Sequence, residues 1–377
     1  MRTRGPRSKP AGTATLDAPA FLGHALRLFR SFGGRELAVD LGTANTVVFA
    51  RGKGVVVFEP SVVAIEERTG AVQAVGAEAR RMIGRTPASI RAIRPLRHGV
   101  IADFELTEQM LRYFIRRVDG GHLPFAQVML CIPSGITKVE REAVEEATLA
   151  AGARRVHLIE EPMAAAIGAG LPVDDARGSM IVDIGGGTTE VAVLSLGGIV
   201  GWQSIKIGGY EMDEAIVRHV GSAHGLLIGQ ETAEDAKIAI GSAAPGADES
   251  ATDVAGRERT TGMLRRVTLE AAEVRDALEG PVRRIVEAVK TTLETTPPEL
   301  AADISDDGIV LAGGGSLLRH IDRRLSDETQ LRTQVADDPL TSVVRGAGRA
   351  LDELGSMKTM RTTSRARGRR ARRYRTR

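Results

Sequence analysis

Val39-Asp40-Leu41-Gly42-Thr43-Ala44-Asn45-Thr46-Val47-Val48 returns 143 residues later as Val182-Asp183-Ile184-Gly185-Gly186-Gly187-Thr188-Thr189-Glu190-Val191. Val, Asp, Gly, Thr and Val recur at matching places. The period is too long for a stacked solenoid. It predicts two related domains, each opening with the same strand–turn–strand device. In each copy an apolar strand delivers an Asp to a turn of small residues. Glycine lets backbone N–H groups approach an anion with no Cβ in the way, and successive N–H groups form a concave anion site. Thr and Asn add donors. Two such turns face to face would grip the phosphates of one nucleotide. Asp40 and Asp183 would hold Mg²⁺ through water, because Mg²⁺ keeps much of its hydration shell.

A third turn, Gly313-Gly314-Gly315-Ser316, follows the apolar run Ile309-Val310-Leu311-Ala312. It is expected to open a helix over 315–325, a setting suited to nucleotide contact. One glycine triplet alone is commonly a plain turn. Three, two of them anchored by Asp, point to a phosphate ligand. The G-x-x-x-x-G-K-S/T loop is absent, which excludes a P-loop ATPase. In Leu158-Ile159-Glu160-Glu161-Pro162-Met163-Ala164-Ala165-Ala166, Pro162 suits a first helical position. Glu160 and Glu161 then lie at a helix N-terminus. Both could merely complement the helix dipole, or one could orient or deprotonate an attacking water. Spacing does not choose between them.

The 377 residues fit two domains. An apolar share of 42% supplies a large core, and 3% aromatics argue against a sandwich built on aromatic pairs. Cys131 is the single cysteine. It excludes a disulfide framework or thiolate zinc site and reads as a small apolar residue in the strand 128–132, in a reducing cytoplasm. No apolar run reaches the ~18 residues of a membrane span, and a secretory leader is not expected. Residues 358–377 hold ten Lys/Arg and no acid, and 1–35 hold seven against one. The body between them is acidic. Basic ends on an acidic body suggest a soluble fold with adhesive tails rather than a nucleic-acid-binding domain.

Strands are expected at 37–40, 46–49, 128–132, 156–159, 180–184, 190–196 and 308–312. Helices are expected at 107–119, 137–151, 210–224, 231–241, 270–294 and 315–325. This alternation implies an α/β chain with a mostly parallel sheet under helical cover. The stretch 244–262 reads as a polar surface excursion.

These motifs resemble the superfamily of actin, sugar kinases and DnaK-type chaperones, and within it the MreB-type family. The likeness runs through Asp40 to Thr46, Glu59-Pro60-Ser61-Val62, Ile93-Arg94-Pro95-Leu96 and Gly99-Val100-Ile101-Ala102-Asp103. It continues in Ile159 to Gly170, Val182 to Val193, Met212 to Ile216, Thr296 to Leu300 and Gly313 to Leu318, covering about 36–354. It implies an actin-like ATPase fold, two related domains each with a mixed sheet and flanking helices around a nucleotide cleft. Domain I would take 34–169 plus 338–354, and domain II 170–337. A basic extension, 1–33, and an Arg-rich tail, 355–377, would lie outside. The resemblance assigns Gly42, Thr43, Ala44 and Asn45 to the first phosphate turn and Gly185, Gly186, Gly187, Thr188 and Thr189 to the second. Glu234, Ala236 and Lys237 would flank the adenosine, with Gly313, Gly314, Gly315 and Ser316 beneath it. Asp40, Asp183, Thr188 and Glu161 would form the catalytic set, Glu161 positioning the water. The cofactors are ATP and Mg²⁺. One departure is Tyr210, which follows Gly208-Gly209 where such sequences carry a small acid.

Partners follow in the same way. The resemblance implies homopolymer filaments, contact with membrane cell-wall-synthesis proteins, and a place on the inner face of the cell membrane. Residues 19–32 suit an amphipathic helix with Phe21, Leu22, Leu26 and Phe29 on one face, able to lie in a lipid interface. Leu123 and Phe125 are a second candidate contact. The tail could attract anionic lipid, or nucleic acid without sequence preference. A DnaK-type chaperone would need a β-rich substrate domain after the ATPase. A sugar kinase would need a dedicated small-substrate pocket.

Overall fold

The computed structural model describes residues 36–119, 127–246 and 250–354. Its first half opens with β1 (Glu36–Leu41), β2 (Asn45–Ala50) and β3 (Gly54–Pro60). A smaller layer follows, made of β4 (Val63–Glu66), β5 (Val72–Val75), α1 (Ala77–Met82) and β6 (Ile90–Ile93). Next come the short hairpin β7 (Leu96–Arg97) and β8 (Val100–Ile101), then α2 (Phe104–Asp119), β9 (Gln127–Ile132), α3 (Lys138–Ala150) and β10 (Val156–Glu160). Helix α4 (Glu161–Ala169) leads to β11 (Ser179–Ile184), β12 (Thr189–Ser195) and β13 (Gly198–Ile205). Then follow α5 (Gly209–Ala223), β14 (Leu226–Leu227), α6 (Gln230–Ile240), β15 (Ala251–Glu258), β16 (Leu264–Glu270) and α7 (Ala271–Thr295). The second half closes with α8 (Pro298–Asp307), β17 (Ile309–Ala312), α9 (Ile321–Thr329), β18 (Thr333–Val335) and α10 over 342–354.

The internal repeat reappears as topology. One five-stranded sheet has the order β10-β9-β1-β2-β3, the other β18-β17-β11-β12-β13. In each, the strand carrying the repeat starts an antiparallel meander on one side and pairs in parallel on the other. The sheets are therefore mixed, not mostly parallel. The direct strand–turn–strand connections force antiparallel neighbours, and helical crossovers supply only the remaining parallel pairs.

Alternation along the strands aims the key acids. Leu37, Val39 and Leu41 enter one core with β9, α2 and α3, while Ala38 faces the other way, into a core shared with Ile181, Ala192 and Val310. Asp40 follows Ala38 at period two, and Asp183 likewise follows Ile181. Both acids thus point to the side where the halves meet. Helices α4 and α10 cross in that shared core at glycines. A Cβ on Gly346 would lie 1.8 Å from the Ala164 carbonyl oxygen, and one on Gly168 1.8 Å from that of Ser342.

Three local expectations change. Residues 315–325 do not form one helix: a 3₁₀ turn spans Gly314–Leu317 and α9 begins only at Ile321. Gly313, with φ of 78°, breaks the strand direction, and His320 is also left-handed, so the chain turns twice. The described part of 244–262 is not merely an excursion. Ala251–Glu258 pairs with β16 in a three-stranded sheet, Val254 supplying its buried contact. The strands β3 to β8 and helix α1 were not expected, being short and split by turns. The lipid-contact candidates Phe21, Leu22, Leu26, Phe29, Leu123 and Phe125, and the tail 355–377, lie outside the described residues. Among those described, no helix is long and apolar enough to cross a membrane.

Candidate functional site

A cavity of about 400 Å³ opens between the halves, within the usual range for small-molecule sites. Its floor is built by the two repeated turns, which touch. A Cβ on Gly186 would sit 2.5 Å from the Cβ of Ala44, and one on Gly187 3.0 Å from Cγ2 of Thr43. Side chains at these glycines would push the turns apart. The turns are braced by the β7–β8 hairpin. Gly99 N–H donates to Thr43 Oγ1 at 2.8 Å, and the His98 ring nitrogen lies 3.0 Å from the Gly187 carbonyl oxygen.

Asp40, Gly42, Thr43, Ala44, Asn45, Glu161, Asp183, Gly185, Gly186 and Thr188 all line the cavity, as do Glu234, Lys237, Gly313, Gly314 and Gly315. Four sequence-selected residues do not. Gly187 is turned to Thr43 and His98. Thr189 is fully buried and donates its hydroxyl to the Ile207 carbonyl at 2.8 Å. Ala236 belongs to the core under α6. Ser316 folds back on the Gly313 carbonyl at 2.6 Å, so it shapes the third turn from within. Glu160 and Glu161 separate cleanly: Glu160 ends β10, whereas Glu161 begins α4 and faces the cavity.

The acids dominate the electrostatics. Burial, then the charge of Asp183, raises Asp40 to about 7. Burial raises Asp183 to about 7. Glu161 is pushed well above the carboxylate range by burial first, then by Glu190, Asp40 and Asp183. Charged carboxylates crowded in low dielectric repel one another and are poorly solvated. The cluster therefore calls for a cation. Among the described residues no three His, Cys, Asp or Glu side chains converge as a ready metal cage. Two carboxylates without a third protein ligand suit Mg²⁺, which keeps waters and takes phosphate oxygens as its other ligands.

Sequence reasoning missed much of the other wall. Met212, Ile238, Leu317, Leu318, Leu340 and Val343 give it an apolar surface for a flat ring. Lys237 lies 2.7 Å from Asp213 Oδ1 and donates to the Gly209 carbonyl at 3.0 Å, tying α6 to the start of α5. Burial raises Asp213 to about 6 despite this lysine. These residues carry no glycine-turn signature. Met212, Ile238 and Val343 sit on helix faces, where core residues look the same, and Leu317, Leu318 and Leu340 lie in turns.

The model of the MreB/Mbl protein family matches residues 34–359. The cell shape-determining protein MreB of Escherichia coli strain K12 is 53% identical over 333 residues, covering 87% of this chain and 96% of that protein. Solved structures of MreB5 of Spiroplasma citri share the fold. The AMPPNP-bound form has a TM-score of 0.83 at 38% identity, covering 88% of this chain and 99% of that one. The ADP-bound form has a TM-score of 0.80 at 39% identity, covering 83% and 94%.

Proposed function

The chain belongs to the MreB/Mbl family of actin-like cell-shape proteins, and from that premise we propose that it is an ATP-hydrolysing filament former. One observation carries the reading. Two glycine turns, each preceded by an acid, meet across a single cavity that also receives Glu161. The nucleotide-bound states of the Spiroplasma citri relatives support ATP as the occupant.

In this reading Thr43 to Asn45, with Gly185, Gly186 and Thr188, bind the phosphates with their N–H and hydroxyl groups. The base lies against Ile238 and Leu317, over Gly313 to Gly315, with Glu234 and Lys237 near the ribose. Asp40 and Asp183 would hold Mg²⁺, which would supply charge stabilisation at the transferred phosphoryl group. Glu161 orients the attacking water and accepts its proton. It can do so only when ionised, and burial first, then the charges of Glu190, Asp40 and Asp183, disfavour that. Water oxygen forms the new bond to the γ-phosphorus, the bond to ADP breaks, and the proton goes to Glu161.

Polymers of the chain would guide cell-wall synthesis at the inner face of the membrane. Attachment rests on Phe21, Leu22, Leu26 and Phe29, and on Leu123 and Phe125. One short apolar helix binds lipid weakly, but a filament multiplies it through effective concentration. Sedimentation with and without Mg²⁺ and ATP, followed by flotation on anionic liposomes, tests both parts. ATP-dependent pelleting and flotation that weakens on deleting 1–33 are expected. A chain that stays in the supernatant with ATP contradicts the polymer, and equal flotation of both forms contradicts the helix.

A further inference from the structure

The surroundings of Tyr210 give it a task. It sits in the first turn of α5, anchored by its N–H to the Gly186 carbonyl at 2.8 Å, and its half-buried side chain lines the cavity. Across the mouth, Arg94 leaves β6 toward it. Arg94 Nε donates to the Tyr210 hydroxyl at 3.0 Å, and its guanidinium carbon lies 4.7 Å from the ring centroid. Arg94 itself is not part of the cavity wall.

Two ion pairs cross the same gap. Arg80 of α1 reaches Glu234 of α6 at 2.6 Å, and Arg85 reaches Glu231 at 2.5 Å. Their side chains are 37% and 25% exposed in the first pair and 60% and 40% in the second. Pairs this open to water hold little by themselves. They steer the small layer of the first half toward α6. The Arg94–Tyr210 contact is different, because one guanidinium makes a charge-assisted hydrogen bond and also lies against an aromatic ring in a half-buried site.

We propose that Arg94 and Tyr210 form a latch across the mouth of the nucleotide cavity that sets how fast bound nucleotide leaves. The inference rests on the nucleotide-site reading above. Each end of the latch is fixed to a different half. Arg94 is followed by Pro95, whose carbonyl accepts the N–H groups of Ala102 and Asp103. Tyr210 is tied to the second phosphate turn. Widening the mouth separates these anchors, so the contact opposes the opening through which a ligand leaves.

The test uses the full chain, dilute enough to stay unpolymerised, loaded with Mg²⁺ and ATP labelled on its α-phosphate. Excess unlabelled ATP is added and loss of bound label is followed. Label on the α-phosphate reports exchange whether or not hydrolysis occurs. Arg94→Ala is expected to release nucleotide ~10-fold faster, the scale of one lost good contact. Tyr210→Phe keeps the ring and loses the hydroxyl, so its release should be faster than that of the unaltered chain and slower than that of Arg94→Ala. The double variant should release no faster than Arg94→Ala alone, since the contact can be lost only once. Should Arg94→Ala misfold, Tyr210→Phe carries the comparison. Unchanged release in both variants, or effects that multiply in the double variant, overturns the latch. Failure of the unaltered chain to retain any label overturns the nucleotide site, and the latch with it.

Discussion

Glu190 stands directly opposite Asp183 in the β11–β12 ladder, and the two residues are 1% and 6% exposed. Like charges directly opposite on a sheet are destabilising, and here water cannot screen them. Burial raises Glu190 to about 8, although the Ser134 N–H, 3.1 Å from each carboxyl oxygen, opposes the rise. Without a cation, burial shifts these carboxyls toward their protonated forms.

That has a sign. The folded values of Glu190, Asp183 and Asp40 lie above the ordinary 4.5 and 3.8. The folded state then binds more protons than the unfolded chain, and stability falls as pH rises. For these three groups the loss begins near the ordinary carboxylate values and runs through their raised folded values, about 7 for Asp40 and Asp183 and about 8 for Glu190. Thermal unfolding in EDTA without nucleotide should show a midpoint that drops from pH 5 to pH 8. Glu190→Gln should flatten the drop. A midpoint independent of pH in the unaltered chain contradicts this picture.

Asp183→Ala removes one of the two aspartates proposed to hold Mg²⁺ in the cavity. Isothermal titration should show Mg·ATP binding about 10- to 100-fold weaker, the usual scale for residues that orient metal ligands. In EDTA the difference should shrink, because the glycine turns remain. Equal affinity of variant and parent in Mg²⁺ would remove Asp183 from the metal site.

The crossing of α4 and α10 has no room for a methyl group at Gly346, where it would meet the Ala164 carbonyl at 1.8 Å. Gly346→Ala must part the helices, an overpacking that costs about 1–3 kcal/mol or more. At about 2–4 °C per kcal/mol for large domains, the unfolding midpoint should fall by several degrees. Gly168→Ala strains the same crossing through Ser342, so the double variant should lose less than the two losses added. Full additivity, or an unchanged midpoint in Gly346→Ala, contradicts the packing described.

The repeat at 39–48 and 182–191 was enough to read two related halves and two turns that meet, and it put Asp40 and Asp183 at the strand ends beside them, but it did not reveal that both sheets are mixed. Glu161 needed the resemblance, since spacing left Glu160 equally eligible. Strand alternation and the start of α4 decide which of the two faces the cavity. Thr189, Ala236 and Ser316 do not line the cavity, because a motif gives sequence adjacency, not side-chain direction. Thr189 points to the opposite face of its strand from the cavity, and Ser316 is consumed in closing its own turn. Arg94, Arg80 and Arg85 were not legible at all as partners of α5 and α6. Their contacts bridge more than a hundred residues of chain, and no local pattern marks them.

Phosphate release and light scattering, recorded together on Glu161→Ala with Mg²⁺ and ATP, test the central claim most directly. The phosphate turns lie elsewhere, so the variant should bind ATP and polymerise. Losing the group that aligns and deprotonates the water should slow phosphate release by ~10²–10⁴-fold, and the filaments should outlast those of the parent. Phosphate release at the parental rate would contradict the assignment of Glu161 and, with it, the account of how this cavity hydrolyses ATP.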